Sequence, residues 1–365
     1  MSCIGVLYKS EASQNPNPDD KVLADFQVNY WKLPQKFWGY SRFLDLGVLL
    51  YDAKDVNSIQ FYVPFKITKE QLSDLGNVLA NDNLLSILFN ESFRVEDDPN
   101  IRGYRYASSN GEKKLSFWIA CLTSTDFNLH ELKHGTLVEV LIKTKPTSQK
   151  GIKNVAEDKK DNYNLYFRFR ISELSDTSLS YIESVSNDFF QGVFSRTEMM
   201  NLHINAIGEI DEEDFKDLVS NYSFVMFNKI HFFFIGSSEE ETITGTTRYS
   251  DNRLLDSRKW TPYIGKNNPQ NRKCLAYHWK VDGPRESCNI FLRTVYSSAN
   301  IWKIVKYSVI VILLGAMGSL LASFVAPNCM CQPDSESSVS ANVITYHDMG
   351  RYPHVDSQWA GFIFI

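Results

Sequence analysis

The chain reads as mainly β, an α+β arrangement of one or two sandwich-like β units with short helices, followed by a single C-terminal transmembrane helix. Three observations lead there. Aromatic residues make up 13% of the chain, with Phe 24 and Tyr 18, and such side chains suit a pleated, half-buried surface. Short alternating or β-branched runs, separated by turn signals, recur over most of its length. Near the C-terminus, Tyr307 to Ala326 runs for 20 residues without a charge or a proline and stops at Pro327. At about 1.5 Å of rise per residue, a helix of that length spans roughly 30 Å, the thickness of a bilayer's hydrocarbon core.

Taken in order, residues 1–25 have the composition of a flexible lead-in, with Asn15-Pro-Asn-Pro-Asp-Asp20 at the centre. A first β-rich unit covers 26–147. In it, Leu46–Tyr51 and Ile59–Phe65 are strands, and Pro64 puts the second at a sheet edge or terminus. Thr68-Lys-Glu-Gln71 is a capping box opening a helix with Leu72, Leu75 and Leu79 on one face. Leu84–Phe89 fits a helix or a strand. Asn110-Gly111, between Tyr104–Ser109 and Lys114–Cys121, predicts a hairpin, since that pair suits a type I′ turn. Thr136–Lys143 is a further strand, and the charged stretch 148–162 is a linker or loop.

A second β-rich unit covers 163–300. Leu165, Phe167, Phe169 and Ile171 alternate as in a half-buried strand, which turns Arg168 and Arg170 to a solvated outer face. Asn201–Ala206 is a strand leading to an acidic-fronted helix, Asp211–Val219, whose charges suit the N-terminal dipole. Phe224–Ile235 is a core strand. Cys274–Lys280 and Cys288–Val295, joined through Asp282-Gly283-Pro284, complete the unit. Ile67–Leu75 and Ile210–Leu218 share a cap and an apolar stripe, the mark expected of two related units in tandem.

The transmembrane helix is placed at 305–327 and a tail at 328–365. Arg285, Arg293, Lys303 and Lys306 precede the span, whereas Asp334 and Glu336 follow it with no basic residue before Arg351. Basic flanks stay cytoplasmic, so the N-terminal region is expected in the cytosol and the tail is expected to be exported. The opening residues lack a basic region with a long apolar core, so the C-terminal segment is expected to carry targeting. Within the span, Gly315, Ser319 and Ser323 form one four-residue row, and Gly318, Ala322 and Ala326 a second. Small residues at that spacing let helix backbones approach in lipid, which predicts a homo-oligomer.

The net charge is −5, and Asp334, Glu336, Asp348, Asp356 and Arg351 supply −3 of it from the tail. The remainder is near neutral and carries no electrostatic footprint for nucleic acid. Cys3, Cys121, Cys274 and Cys288 are expected as reduced thiols, with Cys121 and Cys274 buried in strands. Cys329 and Cys331, just past the span, are candidates for cross-linking or acylation.

The one catalytic signature is His130-Glu131-Leu132-Lys133-His134. On a helix, H-E-x-x-H aligns two imidazoles for zinc, His130 and His134, with Glu131 placed to activate a bound water. Gly135, the charge of Lys133 and the want of a third ligand weigh against a zinc metallopeptidase. The competing expectation is a short connecting helix capped by Asp126 and Gly135. An interaction or sensing module therefore ranks above an enzyme. Expected partners are a membrane, further copies of the chain and an unidentified protein or small ligand, with no cofactor outside the zinc alternative. By analogy of architecture alone, membrane-perturbing bacterial defence effectors are built this way.

Overall fold

Apolar residues at every second position dictate strands with one buried face, and such strands dominate the computed structural model of the chain. The structure describes residues 2–10, 22–35, 39–53, 56–79, 82–89, 93–96, 103–108, 116–142, 164–183, 195–244, 249–255, 257–265, 273–297 and 301–325. The strands are β1 (Ser2–Ser10), β2 (Leu23–Pro34), β3 (Tyr40–Leu50), β4 (Val56–Val63), β5 (Leu72–Asp74), β6 (Phe93–Glu96) and β7 (Gly103–Ser108). They continue as β8 (Ser116–Ala120), β9 (Phe127–Glu131), β10 (Thr136–Leu141), β11 (Leu165–Ile171), β12 (Tyr181–Glu183) and β13 (Ser195–Ile204). The rest are β14 (Ser223–Phe224), β15 (Met226–Ser237), β16 (Glu241–Thr244), β17 (Asp251–Leu255), β18 (Cys274–Arg285) and β19 (Cys288–Ser297).

They form two mixed sheets. One has the order β16-β19-β13-β1-β4-β10-β9, and the other β17-β18-β15-β2-β3-β11-β8-β7-β6. Their inner faces share a core in which Phe61 of β4 meets Phe26, Phe167 and Phe169 from the opposite sheet, at centroid distances of 6.3, 6.1 and 5.0 Å. Each outer face has its own cover. Ile210 and Leu218, from the helix Glu212–Asn221 and the residue two before it, pack on Leu7, Tyr62 and Leu137 of the first sheet. Trp260 and Tyr263 of the helix Ser257–Ile264, with Leu79, Leu85 and Leu88 of two short helices, pack on Trp31, Phe43 and Tyr166 of the second.

The halves expected as tandem units, 26–147 and 163–300, are interleaved. β1 pairs in parallel with β13, β2 with β15, and β8 with β11, while β3 pairs antiparallel with β11. The last three of these pairings join the two halves and the first ties the N-terminal strand to the second, so residues up to Ile304 make one unit. The lead-in expected at 1–25 is also corrected: residues 2–10 form β1, a central strand between β4 and β13. The proposed linker 148–162 and tail 328–365 lie outside the described residues.

Some local expectations hold and others shift. β7 and β8 pair antiparallel, Gly103 opposite Ala120, although their Asn110-Gly111 turn lies outside the described residues. The Thr68–Gln71 capping box is present, but it opens only the 3-10 turn Lys69–Gln71, because Leu72–Asp74 leaves the helical path to pair with β11. Leu84–Phe89 is helical. Asp211 does cap the helix Glu212–Asn221, accepting a hydrogen bond from the Glu213 N–H at 3.0 Å. β18 runs straight through Asp282-Gly283-Pro284, and β19 then joins the other sheet. Cys3, Cys121 and Cys274 are buried and Cys288 is half-buried; Cys329 and Cys331 lie outside the described residues.

The second unit begins at Val305. Its described part is residues 305–325 of the helix Ile301–Val325, within which Val305–Phe324 is a 20-residue stretch of mean hydropathy 2.0, long and apolar enough to cross a membrane.

Candidate functional site

The residues of His130–His134 are not helical. Phe127–Glu131 is strand β9, and residues 132–135 turn the chain into β10, with Val138 opposite Leu129 and Leu137 opposite His130. Strand periodicity and a turn do not stack two imidazoles as one turn of helix does. Both helical expectations for this stretch, the zinc pair and the capped connecting helix, are therefore corrected. A close approach explains the turn: a Cβ on Gly135 would lie 2.4 Å from the Val63 carbonyl oxygen and 2.6 Å from the Tyr62 ring. His130 Nε2 lies 3.6 Å from Glu139 Oε2, and Glu131 pairs with Lys66 at 3.0 Å.

His134 goes elsewhere. Its Nδ1 is 3.2 Å from Asp211 Oδ1, and His134, Asp211 and Asp214 bring ligand-type atoms within 4.8 Å of one another. His130 is not in that group. The buried Asp214 already serves the turn: Oδ1 accepts from the Lys133 N–H at 3.0 Å, and Oδ2 from the His134 N–H and the Tyr62 hydroxyl, each at 3.2 Å. Asp211 Oδ1 caps its helix as well. The trio ties the β9–β10 turn to the helix covering the first sheet, and it offers three donors to a cation.

In the apolar helix, a Cβ added at Gly315 or Gly318 meets nothing within 4 Å. Ser319, Ala322 and Ser323 are exposed beside them, and Ser323 Oγ donates to the Leu320 carbonyl at 2.6 Å. The described residues of the two small-residue rows, all but Ala326, thus lie open along the helix.

Three polar constellations were missed by sequence reasoning. Arg168 and Arg170, expected on a solvated face, are buried beneath the helix Ser257–Ile264. Arg170 grips Asp45 through Nε at 2.6 Å and Nη2 at 3.0 Å, while Arg168 donates from Nε to the Tyr263 hydroxyl at 2.6 Å and from Nη1 to Gln27 at 3.1 Å. Gly47 leaves room for this lattice, since a Cβ there would sit 2.7 Å from the Tyr166 hydroxyl.

The second constellation closes one end of the core between the sheets. Lys32 Nζ lies 2.8 Å from Glu198 and 3.0 Å from Glu240, and 3.5 Å from the centre of the Tyr296 ring. Arg42 joins Glu198 and Asp176. Burial alone would raise Glu198, but Lys32 and Arg42 outweigh it and hold that carboxyl below its ordinary value. Burial wins at Glu240, which is raised despite Lys32.

The third is a histidine pair on the outer face of the second sheet. His231 Nδ1 and His278 Nε2 are 3.0 Å apart, and Phe233 stacks on His278 at 4.2 Å. Burial, helped at His231 by the neighbouring imidazole, pushes both down to about 4. One ring N–H therefore donates to the other ring's nitrogen at neutral pH.

A signal for these clusters existed. Asp25, Gln27 and Asn29 alternate with Ala24, Phe26, Val28 and Tyr30, and Asp45 interrupts the apolar run of β3. Polar residues in register on strands with one core face mark a second, covered face. Against known proteins, no family model matches the chain and no curated protein resembles it.

Proposed function

We propose that the chain is a single-pass membrane-anchored binding module. Its β unit lies in the cytosol and takes a protein or small ligand; its C-terminal helix holds it in the membrane and clusters it, to scaffold or to perturb the bilayer. The observation that carries this reading is Val305–Phe324, 20 residues of mean hydropathy 2.0, long and apolar enough to cross a membrane. The basic flank from Arg285 to Lys306, against Asp334 and Glu336 beyond, supports the cytosolic orientation. The open rows at Gly315, Ser319 and Ser323 and at Gly318 and Ala322 support helix association.

Cross-linking of the full chain in native membranes tests the clustering. Wild-type protein gives a ladder of oligomers, and Gly315→Leu with Gly318→Leu shifts it towards monomer. An unchanged ladder removes the helix from the assembly. Accessibility of a C-terminal tag to protease added outside intact cells tests the orientation.

A further inference from the structure

Taking charges out of water is costly, and two buried carboxyls on one buried ammonium are more than an ion pair needs. Lys32 Nζ, from β2 of the second sheet, lies 2.8 Å from Glu198 of β13 in the first sheet. It lies 3.0 Å from Glu240, in the turn between β15 and β16. The Lys32 side chain is 0% exposed and both carboxyl side chains are 2% exposed. The rings of Tyr40 and Tyr296, centred 4.5 and 3.5 Å from Nζ, cover it further. The two carboxyls are not equivalent. Burial works against the charged form of Glu198, but Lys32 and Arg42, the latter at 3.4 Å, hold it as a carboxylate. Among the described residues Glu240 pairs with no cation besides Lys32, and its Oε1 has no hydrogen-bond partner. Burial prevails there and favours the neutral acid. An amine, a carboxylate to take its proton and a carboxylic acid open to attack therefore meet in one dry place.

We propose that Lys32 Nζ and the side-chain carboxyl of Glu240 condense into an amide, a covalent cross-link between residues 208 positions apart. Glu198 takes one proton from the Lys32 ammonium. The freed amine attacks the Glu240 carboxyl carbon, the C–N bond forms, and the hydroxyl leaves as water with a second proton from the nitrogen. One ammonium, one carboxylate and one carboxylic acid thus become one amide, one carboxylic acid on Glu198 and one water. Nothing is oxidised or reduced. In bulk water the same groups are hydrated and dilute, whereas well-oriented neighbours reach effective molarities on the order of 10⁵–10⁸ M. The amide also replaces a buried charge with a neutral group and removes its desolvation cost. The expelled water has an exit at the rim, where Arg42 pairs with Asp176, whose side chain is 60% exposed. The bond fastens β2 to the turn that carries the chain from β15 of the second sheet into β16 of the first. This cross-link stands apart from the membrane-anchored reading and needs neither bilayer nor partner.

The test is the mass of the full chain, purified in detergent micelles and then fully denatured, which separates a bond from an ion pair. The wild type is expected to be lighter by one water than its uncondensed sequence, and its protease digest to contain a branched peptide joining Lys32 to Glu240. Lys32→Met restores the full mass. Glu198→Gln keeps both reacting groups and loses the proton acceptor, so in samples taken at intervals after synthesis the branched peptide accumulates at least about tenfold more slowly. A wild-type chain at its full sequence mass overturns the inference, as does a missing water without the branch between Lys32 and Glu240. Accumulation in Glu198→Gln at the wild-type rate overturns the role of Glu198. The mass and the branched peptide are read on the unaltered protein, so the test stands even if either variant fails to fold.

Discussion

Arg170 illustrates how a single residue's environment decides its role. Its guanidinium holds Asp45 in a two-point grip, with side chains 7% and 0% exposed. Removing the carboxylate leaves Arg168 and Arg170 as buried charges without a counter-ion. Asp45→Asn is therefore expected to cost about 3–5 kcal/mol of stability, read by denaturant unfolding of the full chain. The histidine pair gives a pH signature. An unfolded histidine binds its proton below about 6.5, whereas His231 and His278 resist protonation down to about 4. Over that window the unfolded state holds more protons, so stability falls as the pH drops from about 6.5 towards 4. The melting temperature of His231→Gln/His278→Gln should fall less steeply across the same window than that of the wild type; parallel slopes would count against the burial of the pair. Local sequence hints at a covered polar face but does not name the partners. Arg168 and Tyr263 are far apart in the chain, and period-2 alternation reports that a strand has two faces without saying what covers the second.

At the scale of elements, most strands were legible because their apolar alternation is local. β3, β4, β10, β11, β13, β15, β18 and β19 all overlap stretches whose sequence predicts strands. The errors fell where tertiary contact overrides a local signal. Thr68–Gln71 carries a sound helix-opening box, yet the next residues pair with β11. His130–His134 carries a helical metal motif, yet Gly135 is pressed against Val63 and Tyr62 and forces a hairpin. Gly135→Ala should therefore lower stability by about 1–3 kcal/mol, as overpacking does. His130→Ala should leave any zinc content of the purified chain unchanged, since His130 sits apart from the group of His134, Asp211 and Asp214. One zinc per chain, lost in His130→Ala, would reinstate the peptidase motif.

For the whole molecule, the fold class was readable while the order of strands was not. Composition and alternation foretell a β-rich region with short helices and one apolar C-terminal helix, and that is the architecture. They cannot foretell that β11 lies between β3 and β8 or that β1 joins β4 to β13, because pairing depends on contacts distant in sequence. The apolar helix was legible for the opposite reason: length and hydropathy are properties of one continuous stretch. The account's central claim is that this helix holds the chain in a bilayer, and extraction of isolated membranes with alkaline carbonate tests it most directly. The full chain should stay in the membrane pellet, and a chain lacking residues 305–324 should pass to the supernatant. Release of the full chain into the supernatant would contradict the account.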